Sequence, residues 1–282
     1  MSLSAKTVFI SGGSRGIGRA VALRAARDGA NVVIAAKTAE AHAKLSGTIH
    51  SVAEEIEAVG GQALAVQCDI RDEEQVEAAV ASAVARFGGI DILVNNASAV
   101  SLTGTLETET RRYDLMQGVN ARGTFVTSRA CLPHLLKAEN PHILAISPPL
   151  HMEERWFAPH VAYTISKYGM SLCVLGMAGE FRGRVGVNAL WPRAAIATAA
   201  ITQFEGSRYD LDKLRSPEIM ADAAYLAVTS DARTTTGNFW VDDALLASHG
   251  VTDLSRYAPE GVSDAELSPD IFVPSLAELA SS

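Results

Sequence analysis

A tyrosine and a lysine, Tyr163 and Lys167, stand four residues apart in the segment YTISK. Residues at this spacing lie on one face of a helix, so the phenol and the ammonium can point at the same spot. A nearby cation favours the phenolate, and we therefore expect Lys167 to lower the pKa of Tyr163 from its usual value of about 10. Such a phenol can exchange a proton with a carbonyl or alcohol oxygen. The alternative is an ordinary amphipathic helix with an interfacial tyrosine and a surface lysine.

A second candidate site is a glycine-rich turn near the start of the chain, in the stretch from Thr7 to Gly29. An apolar run typical of a buried strand precedes the turn, and a segment with helical spacing follows it. Within the turn stand Gly12, Gly16 and Gly18. Glycine permits a tight turn and the close approach of a ligand, and the free N–H groups at a helix start favour anions. The stretch predicts a pyrophosphate site; the alternative is a tight connection that holds no ligand.

The composition of the 282 residues narrows the classes of function. A net charge of −8 without a basic stripe argues against a nucleic-acid partner. No apolar run reaches the roughly 20 residues of a membrane span, and the first strand begins too early to leave room for a signal peptide. Three scattered cysteines (Cys68, Cys131, Cys173) are typical of a reducing compartment, so a cytoplasmic protein is expected. The seven histidines show no metal-binding spacing, and no metal site is expected.

Strand-like and helical segments alternate along the chain, which is the pattern of a parallel sheet with helices on both faces. Strands are predicted at 8–10, 31–36, 63–68, 91–94, 142–146, 185–190 and 238–242. Helices are predicted between them, the later ones at 51–59, 73–87, 110–136, 163–181 and 216–229. The expected fold is α/β, a single-domain Rossmann-type doubly wound parallel sheet of about seven strands. Tyr163 opens the helix after the fifth strand, where such a sheet presents its ligand crevice.

The chain divides into a nucleotide-binding domain, residues 1–242, and a C-terminal arm, residues 243–282. Three prolines interrupt the arm, so we expect it to be irregular and to pack on the same domain or on its oligomer. A short amphipathic end is predicted from Ile271, Leu276 and Leu279. The arm is therefore not expected to form a second domain.

With both motifs present in order, the chain resembles the short-chain dehydrogenase/reductase family over roughly residues 7–242, and within it the hydroxysteroid dehydrogenase-like branch. The glycine spacing G-x-x-x-G-x-G carries part of the resemblance. Residues 95–97 (NNA) are similar to the family's NNAG, with Ser98 in place of its glycine. Residues 192–198 resemble its PG motif, with Arg193 in place of glycine. Larger members of the branch continue into a sterol-carrier domain, which is not expected in this chain.

The resemblance implies an oxidoreductase that moves a hydride between a nicotinamide cofactor and a carbonyl/alcohol pair on a small or lipid-like substrate. Tyr163 would be the acid/base, Lys167 would lower its pKa and hold the nicotinamide ribose, and Asn120 would hold a water that relays protons. The residues expected to bind the cofactor are Gly12, Ser14, Arg15, Gly16, Ile17, Gly18, Lys37, Asp69, Ile70, Asn96, Ala97, Ser98, Tyr163, Lys167, Pro192, Ile196 and Thr198. The competing interpretation is a catalytically weak nucleotide-binding pseudoenzyme that binds a lipid or a partner.

The end of the second strand favours NADP(H), with NAD(H) as the second choice. A site for NAD usually carries a carboxylate there for the ribose 2′-hydroxyl, but this chain has Ala35, Ala36 and Lys37. Arg15, in the glycine turn, is a second cation that can reach a 2′-phosphate. The alternative is that both cations are simply solvated.

The serine that the family uses beside its tyrosine has no clear equivalent here. Ser147, the fourth candidate catalytic residue, comes one position early, and Pro148, which offers no donor, takes the aligned place. Side chains alternate along a strand, so this offset predicts that Ser147 turns away from the crevice. Either a bend redirects Ser147, or another group such as His151 substitutes, or the site is catalytically weak. We expect slow turnover that depends only weakly on Ser147.

The resemblance also implies a homodimer or homotetramer, because the family builds its interfaces from the helices after strands four and five. These helices carry more apolar residues than one buried face needs, namely Leu115, Phe125, Met170, Leu172, Val174, Leu175 and Met177. The alternative is that all of them fit inside one chain. The family's mobile substrate lid corresponds to residues 199–215, where Gly206 would permit movement.

Overall fold

Seven parallel strands form one sheet in the computed structural model, which describes residues 2–41, 46–202, 209–275 and 278–279. The strand order is β3-β2-β1-β4-β5-β6-β7. The strands are β1 Thr7–Ser11, β2 Asn31–Ala36, β3 Gln62–Gln67, β4 Ile92–Asn95, β5 His142–Ile146, β6 Gly186–Trp191 and β7 Phe239–Val241. The described α-helices are α1 Gly16–Arg27, α2 Ile49–Ala58, α3 Glu73–Phe87, α4 Thr110–Met116, α5 Gly123–Leu135, α6 Val161–Glu180, α7 Ala199–Thr202, α8 Glu218–Thr229 and α9 Asp242–Ser248. The predicted doubly wound α/β fold is confirmed.

The central strands β1, β4, β5 and β6 are buried along their whole length because helices cover both faces of the sheet. In β1, Val8 and Ile10 pack into the layer that contains α1 and α8. Phe9, between them, packs into the opposite layer with α3, α5 and α6. The alternation follows from the two-residue period of a strand. Strands are added toward one edge of the sheet from β1 to β3 and toward the other edge from β4 onward. The crevice of the sheet therefore opens beyond the carboxyl ends of the parallel neighbours β1 and β4.

The helix predicted at 110–136 has the expected extent but not the expected regularity. A π-helical turn, Gln117–Arg122, separates α4 from α5. A π-helix is wider than an α-helix because its hydrogen bonds join residues five apart, and single π-helical turns are frequently found at functional sites. Here it carries Asn120, which is fully buried. Gly123 allows the segment to pack closely, because a Cβ atom at that position would lie 2.5 Å from Cδ1 of Ile70.

The C-terminal arm is more regular than predicted. Its first residues belong to α9, which begins at Asp242, inside the predicted seventh strand. Leu245 and Leu246 of α9 are buried in the same layer as α8, which explains the helix. Two 3₁₀ turns follow, Ser255–Tyr257 and Asp264–Glu266. Leu276 of the predicted amphipathic end, and Gly206 of the predicted lid, lie outside the described residues. None of the helices in the described part of the chain is long and apolar enough to cross a membrane.

Candidate active site

A cleft of about 600 Å³ opens along the carboxyl ends of the strands. The glycine turn lies in it together with Tyr163 and Lys167. The structure brings together most of the predicted site residues, which line the cleft as follows: Gly12, Ser14, Arg15, Gly16, Ile17, Lys37, Asp69, Ile70, Asn96, Ala97, Ser98, Tyr163, Lys167, Pro192, Ile196 and Thr198. Gly18, Asn120 and Ser147 are not among the described lining residues.

The glycine turn is shaped by close backbone contacts. Gly12 has a φ of 69°, and a Cβ atom there would lie 2.8 Å from Cα of Ala97. Gly18 is packed in the same way, because a Cβ atom would lie 2.5 Å from the carbonyl oxygen of Gly12. Asn96 supports the turn by donating through Nδ2 to the carbonyl oxygens of Ser11 (3.1 Å) and Gly12 (2.9 Å). Gly18 therefore shapes the turn without lining the cleft.

The start of α1 fits a phosphate group. None of the described side chains caps this helix, and its first turn contains no acidic residue. By contrast, the side chains of Thr48 and Asp72 cap α2 and α3. The first N–H groups of a helix need a partner, and the helix dipole favours an anion at that end. The arrangement of turn and helix therefore suits the pyrophosphate of a dinucleotide.

Two cations lie at the end of the cleft formed by β2. The Arg15 guanidinium donates to the carbonyl oxygens of Ser46 (3.2 Å) and Gly47 (3.0 Å). Nζ of Lys37, whose side chain is 60% exposed, lies 3.8 Å from the Asp69 carboxylate. Asp69 is also held by Arg71, and these cations lower its pKa. The Asp69 carboxylate is therefore already paired.

Tyr163 and Lys167 lie in one cleft, but the prediction that the pKa of Tyr163 is lowered is wrong. Burial raises the pKa of Tyr163, and the Asp270 carboxylate raises it further. Burial lowers the pKa of Lys167 to about 7. Nζ of Lys167 donates to the carbonyl oxygen of Ile146 (2.7 Å) and lies 4.9 Å from the centre of the Trp191 ring. Both groups are desolvated, and desolvation disfavours the charged form of each.

Asn120 links the two halves of the site. Its side-chain oxygen accepts from the backbone N–H of Ala99 (2.7 Å). Nδ2 donates to the carbonyl oxygen of Ala99 (2.9 Å) and to Oγ of Ser166 (2.8 Å). Ser166 in turn donates to the carbonyl oxygen of Tyr163 (2.7 Å). The amide of Asn120 therefore ties the segment after β4 to the first turn of α6.

Ser147 is fully buried, and its hydroxyl has no hydrogen-bond partner among the described residues. Neighbouring Ile146 lines the cleft instead. His151, the substitute considered from the sequence, is not among the described lining residues either; its carbonyl oxygen accepts a hydrogen bond from the Tyr168 hydroxyl (2.7 Å). Neither residue provides a donor to the cleft in this structure.

Sequence reasoning missed the contribution of the C-terminal arm. Asp270 and Ile271 line the cleft, and the Phe272 ring stacks on Tyr163 with 6.0 Å between ring centres. The arm runs beside the segment after β6: Asp270 N–H donates to the carbonyl oxygen of Arg193 (2.8 Å) and the Trp191 indole to that of Ile271 (2.7 Å). The apolar triplet at 271–273 was the available signal, because such a run in an irregular segment needs a surface to cover.

Arg193 explains how the arm is held. Its guanidinium pairs with Asp243 and donates through Nη1 to the carbonyl oxygen of Pro274 (2.9 Å). Both charged side chains are only 10% exposed. Its backbone N–H donates to Asp242 (3.0 Å). The arginine that replaces the glycine of the PG motif therefore anchors the arm at its start, Asp243, and at Pro274.

Comparisons with known proteins point to the same family as the glycine turn, Tyr163 and Lys167. The family model described as short chain dehydrogenase matches residues 6–206. A Danio rerio relative named hydroxysteroid dehydrogenase-like protein 2 is 57% identical over 271 residues, which cover 96% of this chain and 64% of the relative. The chain thus spans less than two thirds of that relative's length.

Solved structures give the same result. A Xanthomonas campestris protein is 56% identical, with a TM-score of 0.93 over 97% of this chain and 100% of the other. A metagenomic short-chain oxidoreductase in complex with NADP is 28% identical, with a TM-score of 0.70 over 86% of this chain and 98% of the other. The chain therefore belongs to the short-chain dehydrogenase family.

Proposed function

We propose that the chain is an NADP(H)-dependent oxidoreductase that interconverts a carbonyl and an alcohol, with Tyr163 as the proton donor and acceptor. One observation carries the proposal: Tyr163 and Lys167 line the same cleft as the uncapped start of α1 and its glycine turn. A cofactor with its pyrophosphate at the glycine turn would lie along this cleft. We propose a cytoplasmic location, and a small-molecule substrate as the principal partner.

The residues of the chain would act as follows. A bound nicotinamide supplies the hydride for the carbonyl carbon. In the direction of reduction, the Tyr163 hydroxyl donates its proton to the carbonyl oxygen and later regains one from solvent. Lys167 stabilises the phenolate that remains and holds the ribose. Asn120 positions α6 through Ser166 and, as the resemblance implies, holds a water that relays protons.

The lining of the cleft favours an apolar or lipid-like substrate. Apolar side chains line the cleft that contains Tyr163, among them Val100, Leu102, Leu115, Trp191 and Ile271. Apolar walls with a few polar groups are typical of sites that orient a largely hydrophobic ligand. Asp270 is the carboxylate on this side and would disfavour an anionic substrate near Tyr163.

The second candidate function is a nucleotide-binding pseudoenzyme. It is favoured by the buried Ser147 hydroxyl and by the raised pKa of Tyr163. A turnover screen separates the two functions: NADPH oxidation is followed with a series of straight-chain aldehydes, methyl ketones and sterol ketones, while cofactor binding is followed by NADPH fluorescence. Turnover above background supports the oxidoreductase. Tight NADPH binding without turnover on any member of the series supports the pseudoenzyme.

The cofactor preference is a separate prediction. We expect the chain to bind NADPH more tightly than NADH, and the Arg15→Ala/Lys37→Ala double variant to lose about tenfold or more of this preference, because charge-assisted contacts to a phosphate contribute about 1.5–3 kcal/mol. Fluorescence titration with both cofactors measures it. Arg71→Ala is the matched control, since Arg71 pairs with Asp69 near the same edge but is not among the described lining residues. Equal or tighter NADH binding by the parent protein would contradict the assignment.

The oligomeric state is also predicted. Met170, Val174 and Met177 are buried within the chain, so they do not support an interface. Three other apolar side chains are exposed to solvent: Phe125 of α5 (52% exposed), and Leu172 (57%) and Leu175 (51%) of α6. We expect a homodimer or homotetramer in light scattering at micromolar concentration, and dissociation on Leu172→Glu/Leu175→Glu replacement, because buried unpaired carboxylates are costly. A monomeric parent protein would contradict this prediction.

A further inference from the structure

Phe272, in the C-terminal arm, combines an unfavourable backbone conformation with complete burial. Its φ of 73° lies in the left-handed region, which residues with a side chain rarely adopt. Its side chain is nevertheless among the largest fully buried ones in the described part of the chain. Such strain persists only where the surrounding structure imposes it, and it is concentrated at functional sites. The contacts of the Phe272 ring therefore bear on its role.

The Phe272 ring packs against the proposed proton donor. It stacks on the ring of Tyr163, with 6.0 Å between the ring centres and 27° between the ring planes. His160, the residue before α6, packs edge-on against both rings, with its ring centre 6.1 Å from that of Tyr163 and 5.7 Å from that of Phe272. Tyr163 lines the cleft, whereas Phe272 is not among the described lining residues. The phenylalanine thus contacts the tyrosine without bordering the space that a substrate would occupy.

The arm also reaches the lysine of the site, through Trp191. The centres of the Phe272 and Trp191 rings lie 5.6 Å apart. The Trp191 indole donates to the carbonyl oxygen of Ile271 (2.7 Å). On its other contacts, the same Trp191 ring has Nζ of Lys167 at 4.9 Å from its centre. One segment of the arm therefore contacts Tyr163 directly and Lys167 through a single intermediate side chain.

We propose that Phe272 is a positioning residue whose ring holds the phenol of Tyr163 in the orientation that proton transfer requires. The proposal rests on the proposed oxidoreductase function. A tyrosine side chain turns about two torsions, and the flat contact with Phe272 and the edge contact with His160 restrict both. Proton transfer needs this restriction, because the hydroxyl must lie within about 2.6–3.2 Å of the oxygen that receives the proton. Phe272 thereby affects the reaction without contacting the substrate.

The first test measures NADPH-dependent reduction of the aldehyde or ketone that turns over fastest. Phe272→Leu keeps an apolar side chain but removes the ring. It should lower kcat by about 10- to 100-fold and leave KM nearly unchanged, because a displacement of about 1 Å at a reacting group can cost about 100-fold. Ile271→Ala shortens a side chain that lines the cleft and should raise KM instead. The matched control is Phe157→Leu, which removes a ring that packs on Tyr168 (5.1 Å between centres) and should keep the kcat of the parent protein.

The second test needs neither cofactor nor turnover. In protein labelled with ¹³C in the tyrosine rings, the signals of Tyr163 and Tyr168 are assigned by their loss in Tyr163→Phe and Tyr168→Phe. Phe272→Leu should shift both signals, because the Phe272 ring centre lies 6.0 Å from that of Tyr163 and 5.6 Å from that of Tyr168, and its ring current acts on both. Phe157→Leu should shift the Tyr168 signal alone. Phe272→Met, with a more adaptable side chain, gives the same comparison if the leucine variant does not fold.

The outcomes separate this proposal from the proposed function. Turnover that is lost in Tyr163→Phe but keeps the kcat of the parent protein in folded Phe272→Leu would overturn the role of Phe272 alone. An equal loss of kcat in Phe157→Leu, or an unshifted Tyr163 signal in Phe272→Leu, would overturn it as well. Absence of turnover on the whole substrate series, with NADPH bound, would overturn the oxidoreductase function and with it the positioning role of Phe272.

Discussion

Replacing Tyr163 with phenylalanine is expected to lower kcat for carbonyl reduction by about 100- to 10,000-fold, the range in which general acid catalysis contributes. The ring remains, so its stacking on Phe272 is kept and the fold should not change. NADPH binding should also persist, because the glycine turn and the start of α1 are untouched. Steady-state kinetics and NADPH fluorescence on the same preparation measure both effects.

Tyr168→Phe is the matched control for this variant. Tyr168 lies on the same helix, and its hydroxyl donates to the carbonyl oxygen of His151 outside the cleft. Removing this hydroxyl should affect stability slightly and catalysis hardly at all. Equal rates in Tyr163→Phe and the parent protein would show that Tyr163 is not the proton donor.

The second large effect concerns stability. Arg193→Met should lower the free energy of unfolding by about 3–5 kcal/mol, because it leaves the Asp243 carboxylate buried without its partner. The same change removes the hydrogen bond from Nη1 to Pro274, which holds the arm beside the cleft. Urea unfolding followed by circular dichroism measures the loss. Substrate affinity should fall together with stability, since Asp270 and Ile271 would be held less firmly.

Two further variants test whether the unpaired Asp243 carboxylate causes the loss of stability in Arg193→Met. Arg111→Met removes the arginine of an exposed pair with Glu109, and it should lower the free energy of unfolding far less than Arg193→Met does. Arg193→Met/Asp243→Leu removes the unpaired carboxylate and should be more stable than Arg193→Met alone. If the double variant is no more stable than the single one, the buried charge is not the source of the loss.

Segments governed by local signals were predicted closely from the sequence. The predicted third helix, 73–87, coincides with α3, because Asp72 caps its start and Gly88 ends it at a φ of 86°. The predictions for β2 and β5 were equally accurate, since each strand is an apolar run that follows one polar residue, Asn31 or His142. The interruption in the helix at 110–136 was not predicted, because the π-helical turn depends on how Asn120 packs between Ala99 and Ser166.

The path of the C-terminal arm could not be predicted from the local sequence. Phe272 adopts a φ of 73°, which is uncommon for a residue with a side chain and costs on the order of 1–3 kcal/mol. Its fully buried ring compensates through contacts with Tyr163, Tyr168, Trp191 and His160. These partners are distant in the sequence, so only the folded chain reveals the contact.

The direction in which the pKa of Tyr163 is shifted could not be predicted from the sequence either. The spacing of Tyr163 and Lys167 predicts a shared face of a helix, and both side chains do lie in one cleft. Spacing does not predict how deeply each group is buried. Burial reverses the expected direction of the Tyr163 pKa, and the Asp270 carboxylate, supplied by the arm, adds to the effect.

The central claim is that the chain transfers a hydride between NADP(H) and a carbonyl carbon, and isotope transfer tests it most directly. NADPH that carries deuterium at both C4 positions of the nicotinamide is incubated with the parent protein and with the aldehyde and ketone series, and the products are analysed by mass spectrometry. We expect an alcohol that carries one deuterium on the former carbonyl carbon, formed by the parent protein and strongly reduced in Tyr163→Phe. Tight NADPH binding with no deuterated alcohol from any member of the series would contradict the claim.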